Sequence, residues 1–518
     1  MSTSSLVPAT VVLVPFVAVG PIVASRARPN LREGWTLGAA VVTFGLATWA
    51  ARATLDGTVH RTVLGELVTG IPLSFRVDAL GALFALLAGF LWVVTSVYSV
   101  GYVRALDEHH QTRYFAAFAA SIGATMGVAL AANLLTLFVF YELLTLATYP
   151  LVTHHGTAAA RRAGRKYLAY TLGGGVSILA GVVLVYTSAG SVDFVAGGLS
   201  GLGSEPLVAT VAYALLVVGF GVKAAVVPLH AWLPDAMVAP TPVSGLLHAV
   251  AVVKSGVFGL ARVVLFLFGV GTVRSLGLGQ PLAVAAAATM LLAGVIALRQ
   301  DKLKRGLAYS TVSQLSYIVL GVALLSPTAV FGALLHLVAH AFMKITLFLC
   351  AGALYVETQI EYISEMGGVW RRVPAVMTAF AVGGAGLVGV PGIAGFVSKW
   401  YLVLGALEAE AIPFAAVFLL AGLLKLLFFW PVFLIAYRGE GATVGFRPVA
   451  GHADDRPATD GGGPSERADR PGFVGTRWSL LGPILVTAGV AVILGVAPGA
   501  TPFWELAGRV ATEVFPGG

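Results

Sequence analysis

Charge is scarce in this chain of 518 residues: only 11% of them are Asp, Glu, Lys or Arg. Soluble domains carry roughly 25%. So few charges cannot cover the surface of a water-soluble protein of this length, which excludes the soluble, fibrous and disordered classes. Cysteine is scarcer still. The one cysteine, Cys350, sits inside an apolar run, so there is no disulfide framework and no thiolate cluster for zinc or iron–sulfur. The chain therefore shows no means of carrying electrons itself. The short alternating segments of a porin-like barrel are missing too. What is abundant is apolar surface, with 58% hydrophobic residues and a mean hydropathy of +0.89. That composition belongs to an all-α polytopic membrane protein.

A helix needs about 20 apolar residues to cross the bilayer. About fourteen transmembrane segments qualify: 6–24, 35–50, 79–100, 114–131, 134–152, 166–187, 207–238, 242–268, 280–298, 307–325, 329–355, 374–407, 412–437 and 478–498. The start, Met1-Ser-Thr-Ser-Ser, lacks the basic region of a signal peptide, so 6–24 reads as a retained span. A net charge of +8 invites a nucleic-acid reading. The basic runs at Arg161–Lys166 and Arg299–Arg305 lie between apolar segments, however, and read as topological anchors. The odd-numbered loops hold 21 Lys and Arg and the even-numbered ones 5, with Arg262 counted beside the loop after span eight. That bias puts the odd loops in the cytoplasm and both termini outside a cell membrane.

The chain divides into three helices with an external loop (1–113), a first five-helix unit (114–268), a second (280–437), a flexible cytoplasmic loop rich in Gly, Asp, Arg and Pro (438–477), and a last helix with a tail (478–518). Alternation at 58–63 predicts a hairpin in the 51–78 loop.

Some charges violate the pattern. Of eight lysines, Lys223, Lys254, Lys344, Lys399 and Lys425 fall within apolar spans. Each costs ~2.5–3.5 kcal/mol at mid-bilayer, or on the order of 12–17 kcal/mol for all five, unless water, a partner or a task offsets it. The bland alternative is snorkelling from a helix end, which fits Lys425 and Lys254 better than Lys223 and Lys399. Among carboxylates Glu142 alone is comparably deep, midway along its span. It is either a protonated acid bonded to a neighbouring helix or the partner of a lysine. A carboxylate drawn toward or away from a lysine changes how tightly that lysine holds its proton. His336, His340 and Lys344 follow at i, i+4, i+8, about 6 Å apart along one stripe. With only Leu-Val-Ala between the histidines, a proton relay or structural hydrogen bonding fits better than a metal site. His248 and Lys254 are six apart and do not share a face.

Two spans must unwind. Pro228, Pro234, Pro240 and Pro242 follow Lys223 closely, around His230 and Asp235, and Gly389-Val-Pro391-Gly392 precedes Lys399. Irregular backbone at membrane depth is tolerated only where protein or water satisfies it. Paired interrupted helices point to an inverted-repeat transport site. Spans 4–8 and 9–13 form the two five-helix repeats. Span seven then corresponds to span twelve and Lys223 to Lys399, and an odd number of spans per unit inverts one unit relative to the other.

The stretch Lys223…Pro228-Leu-His230-Ala-Trp232-Leu-Pro234-Asp235-Ala-Met resembles the signature of the proton-conducting antiporter-like subunits of respiratory complex I, membrane-bound hydrogenases and Mrp-type antiporters. Phe75-Arg-Val-Asp78, Tyr141-Glu142-Leu, Leu307-Ala-Tyr-Ser310-Thr-Val-Ser-Gln314, His340-Ala-Phe-Met-Lys344 and Gly395-Phe-Val-Ser-Lys399-Trp agree, so the resemblance covers about 75–437. By that resemblance Glu142, Lys223, Lys254 and Lys399 match the family's proton-path residues. His336, His340 and Lys344 join its two half-channels, and His230, Asp235, His248 and Lys425 support them. Within the family the chain is most similar to the D-type subunit of Mrp antiporters: Lys399 stands where one complex I subclass has glutamate. The chain also stops soon after span fourteen, without a long lateral helix or the C-terminal extension of the A-type Mrp subunit.

The resemblance implies a proton-translocating subunit of a multi-subunit complex, an Mrp-type Na+/H+ antiporter. The alternative is a pumping subunit of a complex I-like NADH:quinone or hydrogenase complex, or of an inorganic-carbon uptake complex. It implies partner membrane subunits and surrounding lipid, no cofactor, no metal, no nucleic acid, and no enzymatic reaction by this chain alone. Sodium requires several oxygens, and with only Glu142 at depth its site is expected in a partner or at an interface. A pure scaffold would lose its buried lysines at little cost, and a solitary carrier of an organic solute would need a shaped pocket that the sequence does not display.

Overall fold

The computed structural model describes residues 2–438 and 478–516. Nearly all of the loop expected at 438–477 lies outside the described residues. Strand β1 (Ser2–Ser4) is followed by α1 (Val7–Ala24) and α2 (Pro29–Leu55). Next come β2 (Val59–Val68), β3 (Ile71–Arg76), α3 (Ala79–Ala105), α4 (Gln111–Leu130), α5 (Leu134–Val152) and α6 (Ala158–Ala189). The first broken span follows as α7 (Pro206–Lys223) and the short α8 (Trp232–Asp235), and then α9 (Thr241–Ala249), α10 (Val252–Arg262) and α11 (Gly269–Ser275). The second unit is α12 (Gly279–Ala297), α13 (Leu303–Ala323), α14 (Pro327–Thr358), α15 (Pro374–Val388), α16 (Ala394–Glu408) and α17 (Ile412–Tyr437). The chain closes with α18 (Trp478–Val496) and α19 (Pro502–Val514).

Among the described residues, thirteen helical spans are long and apolar enough to cross a membrane. They match the fourteen expected segments except 374–407, which forms two 15-residue helices, α15 and α16, around Gly389–Ile393. The expected hairpin is present as well: β2 pairs antiparallel with β3, from Arg61 opposite Arg76 to Val68 opposite Ile71, and β1 joins β2 in parallel.

Local chemistry sets several boundaries. Asp78 caps α3 by accepting from Gly81 N at 2.8 Å. Asn133 caps α5 from Thr136 N at 2.7 Å, which splits two apolar runs only three residues apart. Both proline- or glycine-marked breaks occur where the composition placed them. A third irregularity lacks proline. The eighth span bends at Val250–Ala251 between α9 and α10, then runs through a π segment at Val263–Leu267.

The most apolar windows of α14 and of the 241–267 span are entirely buried, whereas that of α17 is 33% buried. These two spans, with α13, are the centre of the protein. The expected C-terminal tail contains the amphipathic α19, whose Phe503, Leu506, Ala507, Val510 and Val514 face α3 and α14. Arg509 fastens it to α2 by donating to the carbonyls of Thr54 (2.9 Å) and Leu55.

Candidate functional site

Lys223 is the last residue of α7 and is fully buried. The break beyond it is closed by Trp232 Nε1, which donates to Val222 O at 2.8 Å, and by Val227 N, which donates to Thr289 Oγ1 of α12 at 3.0 Å. Gly256 lets α10 press against this break: a Cβ there would lie 2.2 Å from Ala224 N. The Lys223 ammonium donates to Tyr141 O and sits 3.4 Å from the centroid of the Tyr141 ring.

Glu142 is the next residue on α5 but takes a different direction. It is half-buried between the exposed Leu143 and Leu146, and its Oε1 is buried without a hydrogen-bond partner. Gly175 of α6 makes room for the carboxylate, since a Cβ there would come within 2.4 Å of Oε1. Among the described residues no ion pair joins Glu142 to Lys223. The two groups expected as a contact pair are instead neighbours separated by the Tyr141 peptide. The Tyr141 carbonyl runs along the axis of α5, whereas the Glu142 carboxylate projects sideways from the helix toward Gly175 of α6.

The bend in the eighth span separates its two polar groups. His248 stays on α9, stacked on Phe348 at 4.7 Å, with both ring nitrogens lacking a hydrogen-bond partner. Lys254 enters the first turn of α10 and bonds Leu337 O at 2.9 Å and His340 Nδ1 at 2.8 Å. His340 and His336 lie on the buried face of α14 with ring centroids 6.2 Å apart. His336 is engaged on both sides, with Nε2 2.7 Å from Gln314 Oε1 and Nδ1 2.9 Å from Ser398 Oγ. Gln314 donates onward to Leu387 O at 3.4 Å, and Lys399 donates to that same carbonyl and to Val388 O at 3.0 Å. The structure thus arranges Lys254, His340, His336 and the half-buried Lys399 along one polar line, in which the two imidazoles are neighbours without a hydrogen bond between them and His340 Nε2 has no partner.

Two members of this line, Gln314 and Ser398, have no role in the sequence reading. They lie in quoted motifs, but a neutral amide and a hydroxyl carry no charge penalty to single them out. Lys344 departs from the expected stripe by turning to α13, where it bonds Leu307 O and Ser310 Oγ, each at 2.9 Å. Lys425 does not snorkel: it is fully buried on α17 with an unpartnered ammonium. His230 and Asp235 lie on the far side of the first break. The His230 ring is 6.2 Å from that of Tyr309, and Asp235 is held by Lys166 at 2.7 Å and Arg305 at 3.9 Å. Arg262, counted with a loop above, is fully buried and forms a two-pronged ion pair with Asp78, 2.7 Å on each prong. Its position near the end of an apolar run concealed this.

Residues 131–425 match the family described as NADH:quinone oxidoreductase/Mrp antiporter, TM, a stretch that contains every candidate residue from Glu142 to Lys425. The chain belongs to this family. It is 33% identical over 501 residues to NADH-quinone oxidoreductase subunit N of Desulforudis audaxviator (strain MP104C), covering 94% of this chain and 95% of that one. It is 34% identical over 375 residues to a probable A/B subunit of a K(+)/H(+) antiporter from Rhizobium meliloti (strain 1021), covering 72% of this chain but 36% of that protein. Among solved structures, a chain of the Mrp complex from Dietzia sp. DQ12-45-1b superposes with a TM-score of 0.84 at 26% identity, covering 99% of this chain and 98% of that one. A chain of the membrane-bound sulfane sulfur reductase, an archaeal respiratory membrane complex, shares the fold with a TM-score of 0.80 at 22% identity. The protein is therefore a multi-pass, antiporter-like membrane subunit of the kind found in Mrp and complex I-like assemblies.

Proposed function

We propose that this antiporter-like subunit translocates protons within a multi-subunit Mrp-type monovalent cation/proton antiporter of the cell membrane, with both termini outside. The supporting observation is the buried line of hydrogen-bonding groups between the two helix breaks, Lys254–His340–His336–Gln314 to the Lys399 carbonyl cradle. In this reading the units 114–268 and 280–437 are inverted repeats, each supplying one half-channel.

A proton reaches Lys223 through the first half-channel. An event at the half-exposed Glu142 changes the field at Lys223, which releases its proton toward Lys254. His340 and His336 relay it, with Lys344 as a side station, and Lys399 discharges it. Neutral imidazole suits this step because it accepts on one nitrogen while donating from the other. Each charge crossing is worth ~2.3 kcal/mol per 100 mV of membrane potential.

A half-buried carboxylate flanked by exposed leucines is poorly suited to lipid. It supports a partner membrane subunit covering α5, and a sodium site in that partner or at the junction with it. Proton flux through the reconstituted complex tests the reading. Lys223→Ala and Glu142→Ala variants that assemble and keep full flux contradict it.

One observation favours a second reading, a pumping subunit of a complex I-like NADH:quinone or related assembly. The full-length relative from Desulforudis audaxviator is a quinone oxidoreductase subunit. Identification of the copurifying subunits separates the two: redox modules support the second, and small Mrp-type membrane subunits the first.

A further inference from the structure

A second buried ionic centre lies outside the lysine and histidine axis. Arg262 Nη1 and Nη2 donate to the two oxygens of Asp78, each at 2.7 Å, and neither residue is exposed. Asp78 also accepts from Gly81 N at 2.8 Å and from Arg76 Nη2 at 3.1 Å, while Arg76 donates to Phe194 O at 2.9 Å. The rings of Phe194, Phe258 and Phe266 surround the Arg262 guanidinium at 5.0–5.3 Å. The site admits nothing larger than glycine at residue 81, where a Cβ would meet Ala129 O at 2.6 Å.

Such a pair is an anchor rather than a source of net stability, because losing one partner strands a buried charge. What it anchors is α10. Arg262 is the last residue of that helix, and Lys254 lies eight residues back, about 12 Å along the axis. The other end of α10 begins at the bend Val250–Ala251, where Gly256 packs against Ala224 of the first break, so the ion pair at Arg262 is the charged tie on this helix opposite that contact. The outer end is fixed again just beyond Arg262. There Val195 N and Leu199 N donate to the carbonyls of Phe266 and Leu267 at 2.9 and 2.8 Å.

We infer that Asp78 and Arg262 are positioning residues for Lys254: their ion pair fixes α10 so that the Lys254 ammonium meets His340. The inference rests on the proton-path reading. A shift of about 1 Å at Lys254 would open its 2.8 Å contact with His340 Nδ1, and misplacement on that scale costs rates about a hundredfold.

The test is proton flux against pH in the reconstituted complex carrying Asp78→Asn, Asp78→Glu or Arg262→Lys, with Arg509→Gln and Lys254→Ala alongside. Asp78→Asn is expected to lower flux by about tenfold or more and to displace the pH of half-maximal flux. Arg262→Lys, which keeps the charge but loses the fork, is expected to fall between it and wild type, and Asp78→Glu to restore part of the rate. Arg509→Gln cuts a different tie at the outer surface and is expected to leave the profile in place. Wild-type rate and profile in Asp78→Asn and Arg262→Lys, with Lys254→Ala impaired, overturn the inference. So does an equal displacement of the profile by Arg509→Gln. If Asp78→Asn fails to assemble, Arg262→Lys decides alone. Normal flux in Lys254→Ala would instead overturn the proton-path reading, and the positioning role with it.

Discussion

At the first helix break the lysine is the last residue of α7, and its ammonium rests on the main chain of Tyr141 beneath that residue's ring. At the second break the lysine is the sixth residue of α16 and reaches back to the final carbonyls of α15, with the Tyr317 ring 5.1 Å away. The first site has a carboxylate one residue away from its carbonyl ligand, in a half-buried position and with an unpaired oxygen. The second relies on helix-end carbonyls, which carry partial negative charge and cannot move without unwinding α15. Two breaks that look alike in composition therefore differ in what can change. In the proposed function the field at Lys223 is adjustable through a side chain, and the field at Lys399 is built into the backbone. That difference gives the proposed transport a direction: a switch at the first site and a fixed outlet at the second.

The largest test of the contrast compares the two lysines. Lys223→Ala is expected to lower proton flux about a hundredfold and Lys399→Ala about tenfold, ~2.7 against ~1.4 kcal/mol on the barrier. Proteoliposome flux at matched assembly reads both, and equal losses would erase the distinction. Next, Glu142→Gln keeps the shape but removes the charge. It is expected to cut flux about tenfold while flattening its response to the driving event. An unaltered response would mean that the carboxylate is not the adjustable part. Gly175→Ala is subtler. The added methyl would displace the Glu142 carboxylate, whose Oε1 lies 2.4 Å from the new Cβ, and a loss of about threefold is expected from such misplacement. The same substitution at Gly173, where nothing lies within 4 Å, should leave flux unchanged. The smallest effect concerns Lys425, the ammonium without a partner near the second site. Lys425→Met is expected to raise the thermal midpoint by about 2 °C, as removal of an uncompensated buried charge should. A lowered midpoint would show that Lys425 has a partner when assembled.

How much of this was legible in the sequence depends on what each feature costs the chain. A lysine inside an apolar run is expensive, so Lys223, Lys254, Lys344, Lys399 and Lys425 stood out, and all five are buried or partly buried. Proline and glycine dictate backbone, so both breaks were readable near Pro228 and Pro391. The bend at Val250–Ala251 was not, because it falls on β-branched and small residues that are at home in a span and carry no proline or glycine to mark it. The direction of the Lys344 side chain toward Ser310 was hidden for a related reason: spacing assigns a face, not a partner. Gln314 and Ser398 passed without a role because neutral polar groups are common in spans and become meaningful only when His336 is seen between them. The Asp78–Arg262 pair joins residues 184 positions apart, and no local pattern connects them.

The proposed path is most exposed at His336, which sits between Gln314 and Ser398 inside the second unit, on the way from the Lys254–His340 contact to Lys399. Replacing His336 with phenylalanine keeps a ring of similar size and removes both nitrogens. Proton flux through the assembled, reconstituted His336→Phe complex should fall about a hundredfold while its thermal midpoint stays near wild type. Undiminished flux through that complex would contradict the pathway.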